Sequence, residues 1–280
     1  MGTSGAKLFN DDLANDVRGD YLDSLRRGKE NLQATDYIIE RYMDSLSEEE
    51  EPIFWFSLAD TQWEYGRLEP RIKEKAEYFI EHPYAYEWKN EELADKWSKT
   101  LEKLKEKLNR PQPVEKKISK YRLYRCEWKL GDVFAYQFHG DYSKEANMYG
   151  KYIAFRKIAE TTYWPGHIIP IVQFYKWIWE SIPEISVITS MPLLETGFIP
   201  IVYEKKPDLK KRYDVALVNV SPKVIPKKYL TILGNVGGND IDTRDGLHYS
   251  PSDYIGWETQ RINNHIEEYF IYFYSLWSNK

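Results

Sequence analysis

Apolar residues through the first hundred positions recur with a helical period. Leu13, Val17, Tyr21 and Leu25 fall at four-residue steps, on one face of a helix through NDDLANDVRGDYLDSLRR. Asp11 or Asp12 can cap it, acids crowd its first turns where the helix dipole favours them, and Gly28 is placed to stop it. Thr35 is the predicted cap of a second helix, with Ile38, Ile39, Tyr42 and Leu46 inward. SEEEEP reads as a charged link, in which Pro52 suits a first helical turn. IFWFSLADTQWEYGRL predicts a strongly apolar helix ended by Gly66, and Pro70 opens RIKEKAEYFIEHP. A last helix runs from about Glu91 to Leu108, with Leu93, Trp97, Leu101, Leu104 and Leu108 inward and Lys/Glu pairs outward. Trp63 to Tyr78 looks like a helical-repeat hairpin, although no fixed-period repeat accompanies it.

NRPQPVEKK, at 109–117, carries two prolines and a charge run and reads as a linker. After it the period changes. RLYRCEW, DVFAYQF, KYIAFRKIA, HIIPIVQFY, ISVITS, FIPIVYE and DVALVNV are short runs rich in β-branched and aromatic residues, separated by Gly, Pro and Asp. SDYIGWETQRINNHIEEYFIYFYSLW reads as a closing helix packed on the sheet, with Ser252 and Asp253 as its cap. The expected fold class is α+β. An acidic helical domain spans residues 1–110. A β-rich domain spans 119–280, as a small barrel or a strongly bent antiparallel sheet.

Composition narrows the functional classes. Ten Trp, 23 Tyr and 11 Phe supply a large core and exclude disorder over most of the 280 residues. Cys126 is the one cysteine, so no internal disulfide forms, which fits a reducing cytoplasm. Arg122 and Arg125 beside it are positioned to lower a thiol pKa, but a half-buried strand cysteine is the favoured reading. The longest apolar stretch, GHIIPIVQFYKWIW, is broken by Pro170, Gln173 and Lys176, so no membrane span is expected. The first residues lack a basic segment followed by an apolar one, and a soluble cytoplasmic protein is expected.

The net charge of −5 is unevenly spread. Residues 1–110 hold 17 Lys/Arg against 25 Asp/Glu, and residues 111–280 hold 22 against 19. An acidic front repels nucleic acid and attracts basic proteins, although acids on a solvated face also serve solubility. Asp11, Asp12, Asp16, Asp20, Asp23 and Glu48, Glu49, Glu50 and Glu51 are the candidate partner-steering residues.

Each candidate chemistry has a plainer reading. GTSG, at residues 2–5, lacks the Lys-Ser/Thr ending of a phosphate loop, and Asp11, Asp12 and Asp16 beside it would repel phosphate. Docking of a small-residue terminus, with Phe9 as a hydrophobic staple, is preferred. LGNVGGNDIDTRDGLHY, at 233–249, carries Asn235, Asn239, Asp240, Asp242 and Asp245 but fails the spacing of a calcium loop, and reads as a long surface loop. His82, His139, His167, His248 and His265 form no zinc pattern. His139 with Asp141 is an acid–base candidate that turn chemistry also explains. Glu204 and Lys206, with Glu195 upstream, offer the E-x-K of a metal-dependent nuclease, in a chain so rich in Glu and Lys that one match is expected by chance. In KYRLYRCEWK, at 120–129, Tyr121, Tyr124 and Trp128 are spaced to stack bases while Arg122 and Arg125 meet phosphates. A strand alternating between its faces gives the same pattern.

Two stretches carry a family resemblance. Gly2, Thr3, Phe9, Asn10, Asp11, Asp12 and Ala14 resemble the opening of bacterial domains of unknown function that begin with a Trp-Gly-Thr-like motif followed by Phe and Asn-Asp-Asp; the tryptophan is absent here. Gly131, Asp132, Val133, Phe134 and Ala135 resemble the signature of the twenty-sixth numbered family of immunity proteins from polymorphic-toxin systems. The resemblance implies a β-rich, non-catalytic protein that neutralises a toxin by binding, and it assigns Gly131, Asp132, Val133 and Phe134 a structural part only. The expected function is therefore protein binding without catalysis. A phage-encoded inhibitor of a host defence enzyme, a metal-dependent nuclease and a nucleic-acid-binding module are the alternatives. The expected partner is a protein with a basic surface, nucleic acid is disfavoured, and no cofactor or metal is implied.

Overall fold

In the computed structural model, residues 7–84, 91–197, 212–237, 253–257 and 264–278 are described. The chain divides into two compact units, Met1–Tyr121 and Arg122–Lys280.

The first unit is helical. A short 3-10 turn, Leu8–Asn10, leads into α1, Asp12–Arg26. Asp11 caps it, accepting the N–H groups of Leu13 (2.9 Å) and Ala14 (3.4 Å). Val17, Tyr21 and Leu25 are buried and Leu13 is half-buried, as the four-residue spacing predicts. α2 is Asn31–Met43. It starts four residues before Thr35, and Glu30 donates its N–H to Gln33 Oε1 at 3.1 Å in the first turn. Thr35 is no cap. It lies buried inside the helix, donating to Glu69 Oε1 (2.6 Å) and accepting from Gln62 Nε2 (2.7 Å). A hydroxyl whose partners lie 27 and 34 residues away carries no local sign of them in the sequence.

α3, Glu50–Glu64, is buried along most of its length and packs on α1 and on α4, Pro70–Glu81. Pro70 holds the first helical position of α4. Gly66 ends α3 with φ of +67°, and a side chain there would meet the carbonyl of Pro113. α5, Glu91–Leu108, turns Trp97, Leu101, Leu104 and Leu108 into the same core. The segment expected as a linker lies on this unit. Leu68 N–H donates to Gln112 Oε1, Lys116 N–H to Tyr65 O, and Tyr121 N–H to Arg26 O.

The second unit is built on an open seven-stranded mixed sheet. Its strands are β1 Asp132–Gln137, β2 Tyr152–Tyr163, β3 His167–Phe174, β4 Val215–Val218, β5 Leu230–Asn235, β6 Tyr254–Gly256 and β7 Asn264–His265. They lie in the order β5-β1-β2-β3-β4-β6-β7. Pairing is antiparallel from β5 to β4 and parallel from β4 through β6 to β7, so the sheet is neither a barrel nor purely antiparallel. The short helices α6, Asp141–Glu145, and α7, Ile185–Thr189, and the closing helix α8, Ile266–Ser278, complete it. Phe134, Tyr136, Phe155, Phe174 and Leu217 form one sheet face, on which Ile266, Tyr269, Phe270 and Phe273 of α8 pack. The other face carries smaller residues, Val133 and Ala154, under Ile188 of α7.

Four expectations are corrected here. ISVITS is the helix α7, not a strand: β-branched residues set a propensity that tertiary packing of Ile188 overrides. RLYRCEW makes a single bridge, Arg125 to Ile168. Residues 233–235 of the glycine-rich stretch belong to β5, Val236 and Gly237 follow it, and 238–249 lie outside the described residues. The closing helix starts at Ile266. Before it, Asp253 accepts Tyr254 N–H (2.8 Å) and Asn264 Nδ2 (3.0 Å) beside the two added strands and caps no helix; Ser252 lies outside the described residues.

Candidate functional site

The acidic face of α1 is built by its register. Asp12, Asp16 and Asp20 stand one turn apart, and Asp23 continues the stripe. The structure separates them by what they do. Asp11 is the helix cap. Asp20 accepts Tyr42 Oη at 2.7 Å and pairs with Arg41 Nε at 3.4 Å. Asp23 accepts Arg27 Nε at 2.5 Å and Tyr121 Oη at 2.7 Å. Burial works against the Asp23 charge, but these two hydrogen bonds outweigh it and hold the carboxyl below its ordinary range. Asp12 and Asp16 are exposed and form no ion pair or side-chain hydrogen bond with a described residue.

The glutamate run divides in the same way. Glu50 accepts Ser47 N–H and Oγ, both at 3.0 Å, which closes the first turn of α3. Glu51 accepts Trp55 Nε1 at 3.1 Å, and Glu49 accepts Tyr84 Oη at 3.4 Å. Glu48 is exposed and makes no such bond with a described residue. Of the nine acids, Asp12, Asp16 and Glu48 keep their charge fully available to a partner.

The helical unit also carries a cleft of about 450 Å³ lined by Ile39, Trp55, Arg71, Ile72, Glu74, Lys75 and Tyr78. Arg71 is held by Asp36 at 2.5 Å and Glu69 at 2.8 Å, and the Lys75 ammonium stands 5.7 Å from the centre of the Trp55 ring.

In the second unit, Gly131 takes φ of +82°, and a Cβ there would sit 2.6 Å from Gly237 O. Asp132 is buried and accepts Lys129 N–H (2.7 Å) and Asn235 Nδ2 (2.8 Å). Val133 and Phe134 are buried on opposite faces of β1. This motif makes a turn and starts a strand.

The densest polar cluster surrounds Glu267, which the sequence reading passed over. Its carboxylate is fully buried. Oε1 accepts His139 N–H (2.8 Å), Gly140 N–H (2.9 Å) and Tyr136 Oη (3.0 Å); Oε2 accepts Gly140 N–H (3.1 Å) and Ser143 N–H (3.3 Å). Burial opposes the charge, but the backbone donors of His139 and Gly140 outweigh it and keep Glu267 below the usual carboxylate range. The chemistry is that of a carboxylate filling the N-terminal turn of α6 from a distant helix. His139 does not meet Asp141, which pairs with Lys144 at 2.9 Å. Its Nδ1 lies 3.6 Å from Glu267 Oε1, and its ring stacks on Tyr229 with centroids 3.7 Å apart. His265 Nδ1 accepts Glu267 N–H at 3.1 Å, and burial holds that imidazole below its ordinary range. The available signal was an acid on the face of α8 that also carries Phe270.

The remaining candidates are placed as follows. Burial pushes the Cys126 thiol up, and Asn219 Nδ2 reaches its sulfur at 3.7 Å. His167 Nδ1 accepts Tyr124 N–H at 3.0 Å and is held low by burial. In the 120–129 stretch, Tyr121 is bonded to Asp23, Arg125 pairs with Glu160 at 2.8 Å, and Trp128 packs on Phe134 with centroids 4.3 Å apart. Beside them, Lys157 is almost fully buried and donates to Trp128 O (2.5 Å) and Glu160 Oε1 (2.7 Å). Glu195 accepts Tyr213 Oη at 3.4 Å. Glu204, Lys206, His248 and the GTSG stretch lie outside the described residues. Among the described residues, no group of three or more His, Cys, Asp or Glu is arranged to hold a metal, and no helix is long and apolar enough to cross a membrane.

No protein-family profile matches the chain, and no curated protein or solved structure is significantly similar to it.

Proposed function

We propose that the chain acts by binding another protein and inhibiting or sequestering it, as an immunity protein does with its toxin. The observation that carries this reading is the pair Asp12 and Asp16. They stand one turn apart on the solvent side of α1, in line with Asp20, with no counter-charge among the described residues. Like charges at this spacing cost a helix about 0.2–0.5 kcal/mol per pair. The helix dipole offsets this for Asp12, in the first turn, but falls off within that turn and does little for Asp16, whereas a basic partner is drawn toward such a face and oriented by it. Tyr37 and Leu32, exposed on α2, are available as apolar anchors on the same unit. The resemblance of Gly131 to Ala135 to the immunity-protein signature gives the reading its concrete form, and the single buried cysteine suits a reducing cytoplasm. A phage-encoded inhibitor of a host defence enzyme would use the same contacts.

The test is affinity capture from host lysate with two baits, the wild type and the double variant Asp12→Asn/Asp16→Asn, followed by mass spectrometry. One stoichiometric protein, held by the wild type and lost from the variant, supports the reading. Equal capture by both baits, or capture of nucleic acid, sinks it.

A further inference from the structure

β5 is an edge strand of the sheet that the described residues form. It pairs with β1 along one edge, and no described residue pairs with the other. The register fixes which groups face outward. Gln137 N–H donates to Tyr229 O, so the closely bonded pairs of this ladder include Ala135 with Thr231. Leu230 and Ile232 therefore turn their N–H and C=O groups away from β1. The strand, LTILGN, contains no charge and no proline, and Ile232 is 60% exposed. Edges of this kind are ordinarily blunted by charge, proline or cover, because they template further pairing.

Charge identifies what fits. Lys223, Lys227 and Lys228 lead into β5, all exposed, and none forms an ion pair with a described residue.

We propose that the outer edge of β5 accepts an extended strand from an acidic protein partner, added antiparallel. The partner's carboxylates lie at its C-terminal end, against Lys227 and Lys228. Main-chain hydrogen bonds to Leu230 and Ile232 hold the strand, and the lysines select it. This interface belongs to the second unit and the acidic face of α1 to the first, and either can fail without the other.

The test uses the full chain, isotope-labelled, and a synthetic peptide of alternating valine and threonine ending in two glutamates. Hydrogen exchange is read at the Leu230 and Ile232 amides. Saturating peptide is expected to slow both by about tenfold or more, and Lys227→Glu/Lys228→Glu is expected to weaken the peptide's affinity by about tenfold. Ile232→Pro, at an edge position whose N–H faces outward, is expected to fold and to lose binding. The charge-reversed variant keeps the test open if the proline variant does not fold. Protection of both amides in the free chain, protection that rises with protein concentration alone, or unchanged affinity in the charge-reversed variant would each overturn the proposal.

Discussion

Both carboxylate oxygens of Glu267 accept the backbone N–H of Gly140, at 2.9 and 3.1 Å, across 127 positions of sequence. This contact ties the closing helix to the turn after β1. A Cβ on Gly140 would stand 2.8 Å from Oε2. Glu267→Ala leaves the half-buried N–H groups of His139 and Gly140 and the buried N–H of Ser143 without this acceptor, and is expected to cost on the order of 3 kcal/mol. Gly140→Ala is expected to destabilise as well, by displacing the carboxylate. Urea unfolding followed by tryptophan fluorescence measures both, and a loss below about 0.5 kcal/mol for Glu267→Ala would contradict the assigned role.

Acid should weaken the fold in two steps. Burial holds His265 and His167 below the ordinary histidine value of 6.5, so the folded chain takes up protons there less readily than the unfolded chain. Their contribution is complete above that value and is lost as pH falls toward the lowered folded values. Glu267 is held below 4.5, so its contribution persists to lower pH and is lost as pH falls through its own folded value. Melting temperature against pH is expected to decline first below about 6.5, with His265→Gln flattening that first step, and again in the carboxylate range. A melting temperature that rises as pH falls from neutrality would contradict the sign.

The helical half was legible because its signals are local. A cap at Asp11, a stop at Gly28, proline at position 70 and apolar residues at helical spacing each act within a few residues. The second half depended on partners that sequence spacing does not reveal. β5 was hidden by Gly234 and Gly237, whose positive φ values of 147° and 77° suit a bulged strand end as well as a loop. β6 and β7 are too short to show a period, and they exist because β4 offers a parallel edge. In the candidate site, Asp12 and Asp16 were legible as an acidic face, but the removal of Asp11, Asp20 and Asp23 from it depended on Tyr42, Tyr121 and the helix end. The role of Glu267 was hidden because its carboxylate's partners come from β1, the turn after it and α6, well over a hundred residues earlier.

Two acids at the start of α1 should behave oppositely in stability. Asp11→Ala removes the α1 cap and is expected to cost about 1 kcal/mol. Asp16→Asn removes a repulsion and is expected to change stability by less than about 0.5 kcal/mol, toward gain. Denaturant midpoints of the two variants check this, and equal losses would show that Asp16 has an internal partner.

Cys126 should be silent in the native state. It is buried, and burial pushes its thiol pKa up, so little thiolate forms at neutral pH. Labelling by a thiol reagent is expected to be slow until urea unfolds the chain. Rapid stoichiometric labelling without denaturant would contradict the placement of this residue.

The central claim is that the free acids of α1 steer a basic protein partner. The most direct measurement is the association rate with the captured partner as a function of salt, for the wild type and for Asp12→Asn/Asp16→Asn side by side. The account predicts that the wild-type rate falls by about tenfold between low and high salt, while the variant starts slower and responds less. A rate indifferent to salt, or the same salt dependence in both proteins, would contradict it.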